Sequence, residues 1–198
     1  MSTTPLPPEL RDAVAEALRQ AVSGFMGPSI HHVAALNTIG CYLLCHLSSL
    51  QYETVAGSVV VHQGGSPVAL RADAGRIDEH EYYLWIELVH AGGRVELVDF
   101  ASRCWQDWAR NEQTLWIGPP PPLFVWSFAD ELDPGVARYA PDPAITTVVR
   151  TALHNVFQSA DPPDQVKQWE QAINDAVDIL LEDPRAIDFL VQAGIAER

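Results

Sequence analysis

EYYLWIELVHAGGRVELVDFA, residues 81–101, decides the fold. Two runs rich in β-branched and aromatic residues flank Ala91-Gly92-Gly93. That spacing predicts an antiparallel hairpin, with strands over 82–90 and 94–101 and a tight turn over 91–93. Side chains alternate along a strand, so Tyr83, Trp85, Glu87 and Val89 share one face, and Leu84, Ile86 and Leu88 the other. On the partner, Val95, Leu97 and Asp99 share a face, as do Glu96, Val98 and Phe100. Asp99 stands between apolar neighbours, where a carboxylate is costly to bury unless it is hydrogen-bonded or paired. Two readings of it stay open: a site residue, or a strand-end acid holding a turn or Arg103.

Outward from the hairpin, YETVAGSVVVH (52–62) reads as a strand with Gly57 at a bulge. A weaker strand is expected near 67–71, a polar loop over 72–80, and another strand over Leu123–Phe128. Upstream, Pro7 and Pro8 open a helix whose apolar positions are Leu10, Val14, Ala17, Leu18, Ala21 and Phe25. CYLLCHLSSLQ then carries leucines over a wide arc and is expected to be the central buried helix. Asn37 or Thr38 would cap it, which puts Cys41 at its start, with Ser29–Leu36 a preceding turn or two. Downstream, Ser102–Glu112 is a short helix or loop, and Pro119–Pro122 an extended connector. Residues 143–159 and 163–182 have helical periodicity, Asp161 with Pro162 and Pro163 marks the second start, and Asp183–Pro184 begins a last short helix that stops near Gly194. Strands followed by helices predict an α+β fold. The expected organisation is a core over 1–142 and a C-terminal helical extension, 143–198, packed on the same domain.

Composition bounds the function. Twelve basic and 26 acidic residues among 198 leave a net charge of −14. That field opposes nucleic acid and anionic membrane, and fits a soluble acidic surface or a preference for cationic ligands. No apolar run approaches the roughly 18 residues of a membrane span. The opening MSTTPLPPELRDAV lacks a basic, then apolar, leader, and the three cysteines, at 41, 45 and 104, are an odd number. A reducing cytoplasm is the expected location, without a disulfide framework. Oligomeric state is not readable.

Cys41 is the first chemical candidate, since a thiol at a helix start gains acidity from unpaired backbone N–H groups. Its alternative is a small buried hydrophobe, a reading that suits Cys45 still better. His31, His32, Cys41, Cys45 and His46 resemble ligand material, but structural zinc sites come from short knuckles, so no metal and no cofactor is expected. Six tryptophans are many for this length. Trp116, Trp126 and Trp169 are read as core; Trp85 is read equally as core or cleft wall.

The order Gly40-Cys41-Tyr42, then Tyr83-Leu84-Trp85-Ile86-Glu87, then Leu97-Val98-Asp99-Phe100 resembles the papain-like and transglutaminase-like cysteine hydrolases, specifically a small bacterial branch. The resemblance spans roughly residues 36–101 and implies a Cys, His, Asp arrangement of helix, strand and adjacent strand. It implies Cys41 and Asp99 as catalytic members, with Tyr83 in the position of the histidine, and Asn37, His80 and Trp85 about the substrate. Tyrosine, with an ordinary pKa near 10, is a poor base at neutral pH. Two functions follow from the resemblance. One is a non-catalytic member that binds a small molecule or a peptide partner. The other is an active amidase or peptidase forming a Cys41 thioester, with a displaced histidine drawn from His80, His90, His62 or His46.

Overall fold

The computed structural model describes residues 6–23, 32–48, 50–63, 66–71, 83–111 and 113–192. Helix α1, Pro8–Ser23, starts at the predicted prolines and buries Leu10, Val14, Ala17, Leu18 and Ala21. Helix α2 spans His32–Ser48 without a break. The expected cap at Asn37 or Thr38 is therefore helix interior, and Cys41 lies mid-helix, where its N–H has a helical partner. Helix continuity wins because Val33, Leu36, Ile39, Leu43 and Leu47 form one buried stripe. Helix-start activation of Cys41 is thus removed.

Among the described residues, six strands form one sheet in the order β2-β1-β3-β4-β5, with β6 also on β1. They are β1 Glu53–Gln63, β2 Ser66–Arg71, β3 Leu84–Val89, β4 Val95–Asp99, β5 Val125–Phe128 and β6 Ala137–Pro141. All the pairs are antiparallel, and the predicted hairpin pairs Ile86 with Val98 and Glu87 with Leu97. Gly92 and Gly93 in its turn have φ of 94° and 82°, the left-handed region glycine tolerates.

β1 changes partner along its length: Glu53–Ala56 pair with β3, and Gly57–Val61 with β6. Gly57 stands at the junction. A Cβ there would lie 2.3 Å from the Ala140 carbonyl oxygen and 2.9 Å from the Trp85 ring. Close approach accounts for this glycine, which stays in the ladder opposite Pro141 and does not bulge. Strand β6 extends the sheet beyond the expected 52–128. Its signal is brief: Ala137 is buried and Tyr139 half-buried, while Arg138 between them is exposed.

A 3-10 turn, Ser102–Cys104, leads into helix α3, Trp105–Asn111, which drives Trp105 and Trp108 into the core. Helix α4, Pro143–Phe157, is capped by Asp142, whose carboxylate accepts from the Ala144 and Ile145 N–H groups, and it packs on β1. Helix α5, Asp164–Glu182, packs on α1 and α2, and α6, Pro184–Gln192, on α1 and α5. Trp169, Ala172, Ala176 and Leu180 of α5 belong to the same apolar cluster as Leu18 and Leu43. The fold is α+β, and the C-terminal helices share its core. Among the described residues, no helix is long and apolar enough to cross a membrane.

Candidate functional site

Two groups of side chains flank α2, about one turn apart. The first centres on Asp99, the last residue of β4, which is 0% exposed. Its Oδ1 accepts from Asn37 Nδ2 at 3.0 Å and from the Ala101 N–H at 2.8 Å. Its Oδ2 accepts from the Tyr83 hydroxyl at 2.5 Å and the Tyr139 hydroxyl at 2.8 Å. Four donors thus fill the carboxylate's acceptor sites, which is how a buried charge is tolerated.

Each donor is itself fixed. Asn37 also donates to the Leu84 carbonyl at 2.7 Å and accepts from the Phe100 N–H at 2.9 Å. Trp105 Nε1 donates to the Tyr83 hydroxyl. Trp108 meets the Tyr83 ring edge-on at 5.5 Å, and Trp85 meets Tyr139 the same way at 5.3 Å. Gly40 makes the approach of α2 to β4 close enough, since a Cβ there would fall 2.4 Å from the Phe100 ring.

The electrostatics follow from this enclosure. Burial pushes the Asp99 carboxyl above its usual range, and the hydrogen bonds pull it partway back. Tyr83 and Tyr139 are held well above the ordinary phenol value, first by burial and then by the Asp99 charge. Both phenols therefore remain neutral donors. The centre holds a carboxylate and its donors, with no thiol or imidazole among them.

The second group is the Cys41–Cys45 pair. Asn37 and Cys41 are four residues apart, so the thiol lies one turn along and roughly 40° around the helix from the amide. It points elsewhere: Cys41 Sγ donates to the Tyr52 carbonyl at 3.3 Å, and Cys45 Sγ reaches the same oxygen at 3.4 Å. No hydrogen bond joins Cys41 to Tyr83 or Asp99. The expected convergence is thus divided: Asn37, Tyr83 and Asp99 meet, and Cys41 stands apart. Trp85 is buried core, with its indole N–H on Glu87 Oε1 at 2.7 Å. His80 lies outside the described residues.

Both thiols line a cleft of about 230 Å³ between α2, the start of β1 and α4. Arg150 of α4 crosses it, donating from Nε to the Thr54 carbonyl at 2.6 Å and pairing through Nη1 with Glu53 at 2.6 Å. His154 stands at its rim, and Thr38 Oγ1 on its wall is buried with no hydrogen-bond partner among the described residues. A hydrogen bond with Cys45, then burial, pushes the Cys41 thiol up. Donation from Cys41 lowers Cys45 to about 7 against the opposing effect of its own partial burial. Ionisation therefore falls on the half-exposed member, while the more deeply buried Cys41 keeps its proton. Burial sets Cys104 apart, pushed up to about 12.

Among the histidines weighed as displaced bases, His46 and His62 are exposed, and His90 Nε2 is 2.8 Å from Glu96, which is buried on the other face of β4. Sequence reasoning missed Tyr139, Arg150 and His154. Tyr139 had a faint signal in the alternation of β6. Arg150 meets Thr54 across 96 residues, a contact no local pattern announces. All three cysteines are free, and among the described residues no three His, Cys, Asp or Glu side chains are grouped to hold a metal ion.

No family model matches the chain, and no curated protein matches it. A solved structural-genomics protein, described as "The crystal structure of genomics APC5867", is similar in fold at a TM-score of 0.51 and 14% identity, over 87% of this chain and 79% of that one. Likeness at that identity concerns the fold alone.

Proposed function

We propose that the protein is a non-catalytic relative of the papain-like and transglutaminase-like hydrolases, and that it binds a small ligand in the cleft at Cys41, Cys45 and Arg150. One observation carries this reading: the helix residue facing Tyr83 and Asp99 is Asn37, an amide with all its hydrogen bonds committed, while the thiol faces away. A hydrolase needs a nucleophile and a base in mutual reach, with the base oriented by a third group. Here Asp99 orients two phenols that cannot take a proton. The centre acts instead as a lock between α2 and the end of β4. The free thiols suit a reducing, cytoplasmic setting.

Intact-mass analysis after exposure of the full chain to activated esters and amides tests this. The expectation is no acyl adduct on Cys41 and no turnover. A Cys41 adduct that disappears in Asp99→Asn would overturn the reading and restore the hydrolase. His154 favours a second reading, in which it serves the thiols across the cleft as the displaced base. Turnover lost in His154→Ala but retained in Tyr83→Phe would select that one.

A further inference from the structure

We propose that Cys41 and Cys45 form a two-thiolate site for a monovalent soft cation, with Cu(I) as the ion that fits. The proposal rests on the cleft being the binding site and names what it binds.

The two sulfurs, on one face of α2 at i and i+4, flank a single carbonyl oxygen, that of Tyr52, at 3.3 and 3.4 Å. Helical i, i+4 positions keep their Cβ atoms about 5–6 Å apart. A disulfide requires roughly 3.5–4.5 Å, so the pair does not close into one without unwinding α2. An ion bridging two sulfurs spans the wider gap. Tetrahedral zinc asks for four donors, and the described residues offer no group of three. Among the described residues no third ligand is grouped with the two sulfurs, and soft thiolates select Cu(I), which accepts two-coordinate binding.

Charge closes the argument. One M⁺ displaces two thiol protons to solvent and forms two metal–sulfur bonds, leaving a bis-thiolate complex of charge −1. Arg150, in the same cleft and already paired with Glu53, offsets part of that charge. Cys45 is half-exposed and gives the ion an entry to the buried Cys41. Thr38 Oγ1, buried and unpartnered on the cleft wall a turn before Cys41, is a polar atom left for a water or ligand beside the complex.

The test is anaerobic competition for Cu(I) between the reduced full chain and the chromogenic chelator bathocuproine disulfonate. The wild type is expected to withdraw one Cu(I) per chain. Cys41→Ser and Cys45→Ser each abolish this, and Cys104→Ser leaves it unchanged. Arg150→Gln weakens binding roughly tenfold, as outer-shell partners of metal ligands do, and Arg150→Lys restores most of it. X-ray absorption of the loaded wild type should show two sulfur neighbours and no nitrogen, a readout independent of any variant's folding. Retention of Cu(I) by Cys45→Ser, failure of the wild type to compete, or a third protein ligand at the metal would each overturn the proposal. Fast alkylation of Cys45 in a protein that ignores Cu(I) would leave the cleft reading standing with the ion wrong. An acyl adduct on Cys41 would remove the cleft reading itself.

Discussion

Asn37 and Cys41 sit one turn apart on the same helix, and their surroundings are opposites. Asn37 faces a centre where each polar atom is matched: four donors on Asp99, two further bonds on the amide, an indole on the Tyr83 hydroxyl. Cys41 faces a cleft where two thiols compete for one carbonyl, a threonine hydroxyl has no partner, and an arginine is held at the edge of solvent. A satisfied, dry network specifies a unique arrangement and resists change. An open, under-satisfied one is where a ligand can add contacts. On the proposed reading, the first region supplies stability and the second the binding site.

The most disruptive way to break that contrast is Asp99→Ala. It strands the Asn37 amide and both phenols inside the core, each a buried donor left unmade. The expected loss is about 3–5 kcal/mol, as for other broken buried polar networks, read as a lowered midpoint in urea denaturation. Gly40→Ala comes next: the added methyl meets Phe100, separates α2 from β4 and should cost about 1–3 kcal/mol as an overpacked core does. Tyr139→Phe removes one donor and should cost roughly 1 kcal/mol, because three others remain on Asp99, whereas Tyr83→Phe also strands the Trp105 indole N–H and should cost about 1–3 kcal/mol. If Asp99→Ala were no worse than Tyr83→Phe, the centre would not be the lock described.

Alkaline titration sharpens the same contrast. Cys41, Cys104, Tyr83 and Tyr139 all have folded pKa values above their unfolded ones. Such groups stay protonated in the folded chain while the unfolded chain ionises. Their contribution is complete below about pH 8.5 for the thiols and about pH 10 for the phenols, and is lost as pH rises beyond. Cys45 runs the other way: its folded pKa of about 7 adds stability above its unfolded value and loses it as pH falls through 7. Stability should therefore fall steeply above about pH 9, and Tyr139→Phe should flatten the fall. The smallest effect belongs to Cys45→Ser, within about 0.5 kcal/mol as for half-exposed positions generally.

Local signals carried most of the fold. The Gly-Gly turn and the alternation around it gave β3 and β4 with the right faces, and prolines marked the starts of α1, α5 and α6. Asp99 was legible as a carboxylate needing partners because strand alternation placed it among apolar residues. Its partners were only half legible: Tyr83 shares its hairpin, but Tyr139 arrives from a five-residue strand between prolines. The helix-start reading of Cys41 failed because Asn37 and Thr38 look like caps in isolation, and only packing against the sheet shows the buried stripe beginning earlier, at Val33. The cleft was invisible for a different reason. It is made where α4 returns to the start of β1, and nothing in either segment encodes the other.

Site-resolved thiol labelling tests the central claim most directly. Iodoacetamide is applied to the native full chain near neutral pH, with each cysteine followed by peptide mass spectrometry. The account predicts that Cys45 reacts first, with a rate rising through about pH 7, that Cys41 and Cys104 lag far behind, and that Tyr83→Phe changes none of this. Fastest labelling at Cys41, slowed by Tyr83→Phe or Asp99→Asn, would contradict it and reunite the thiol with the Asp99 centre as one active site.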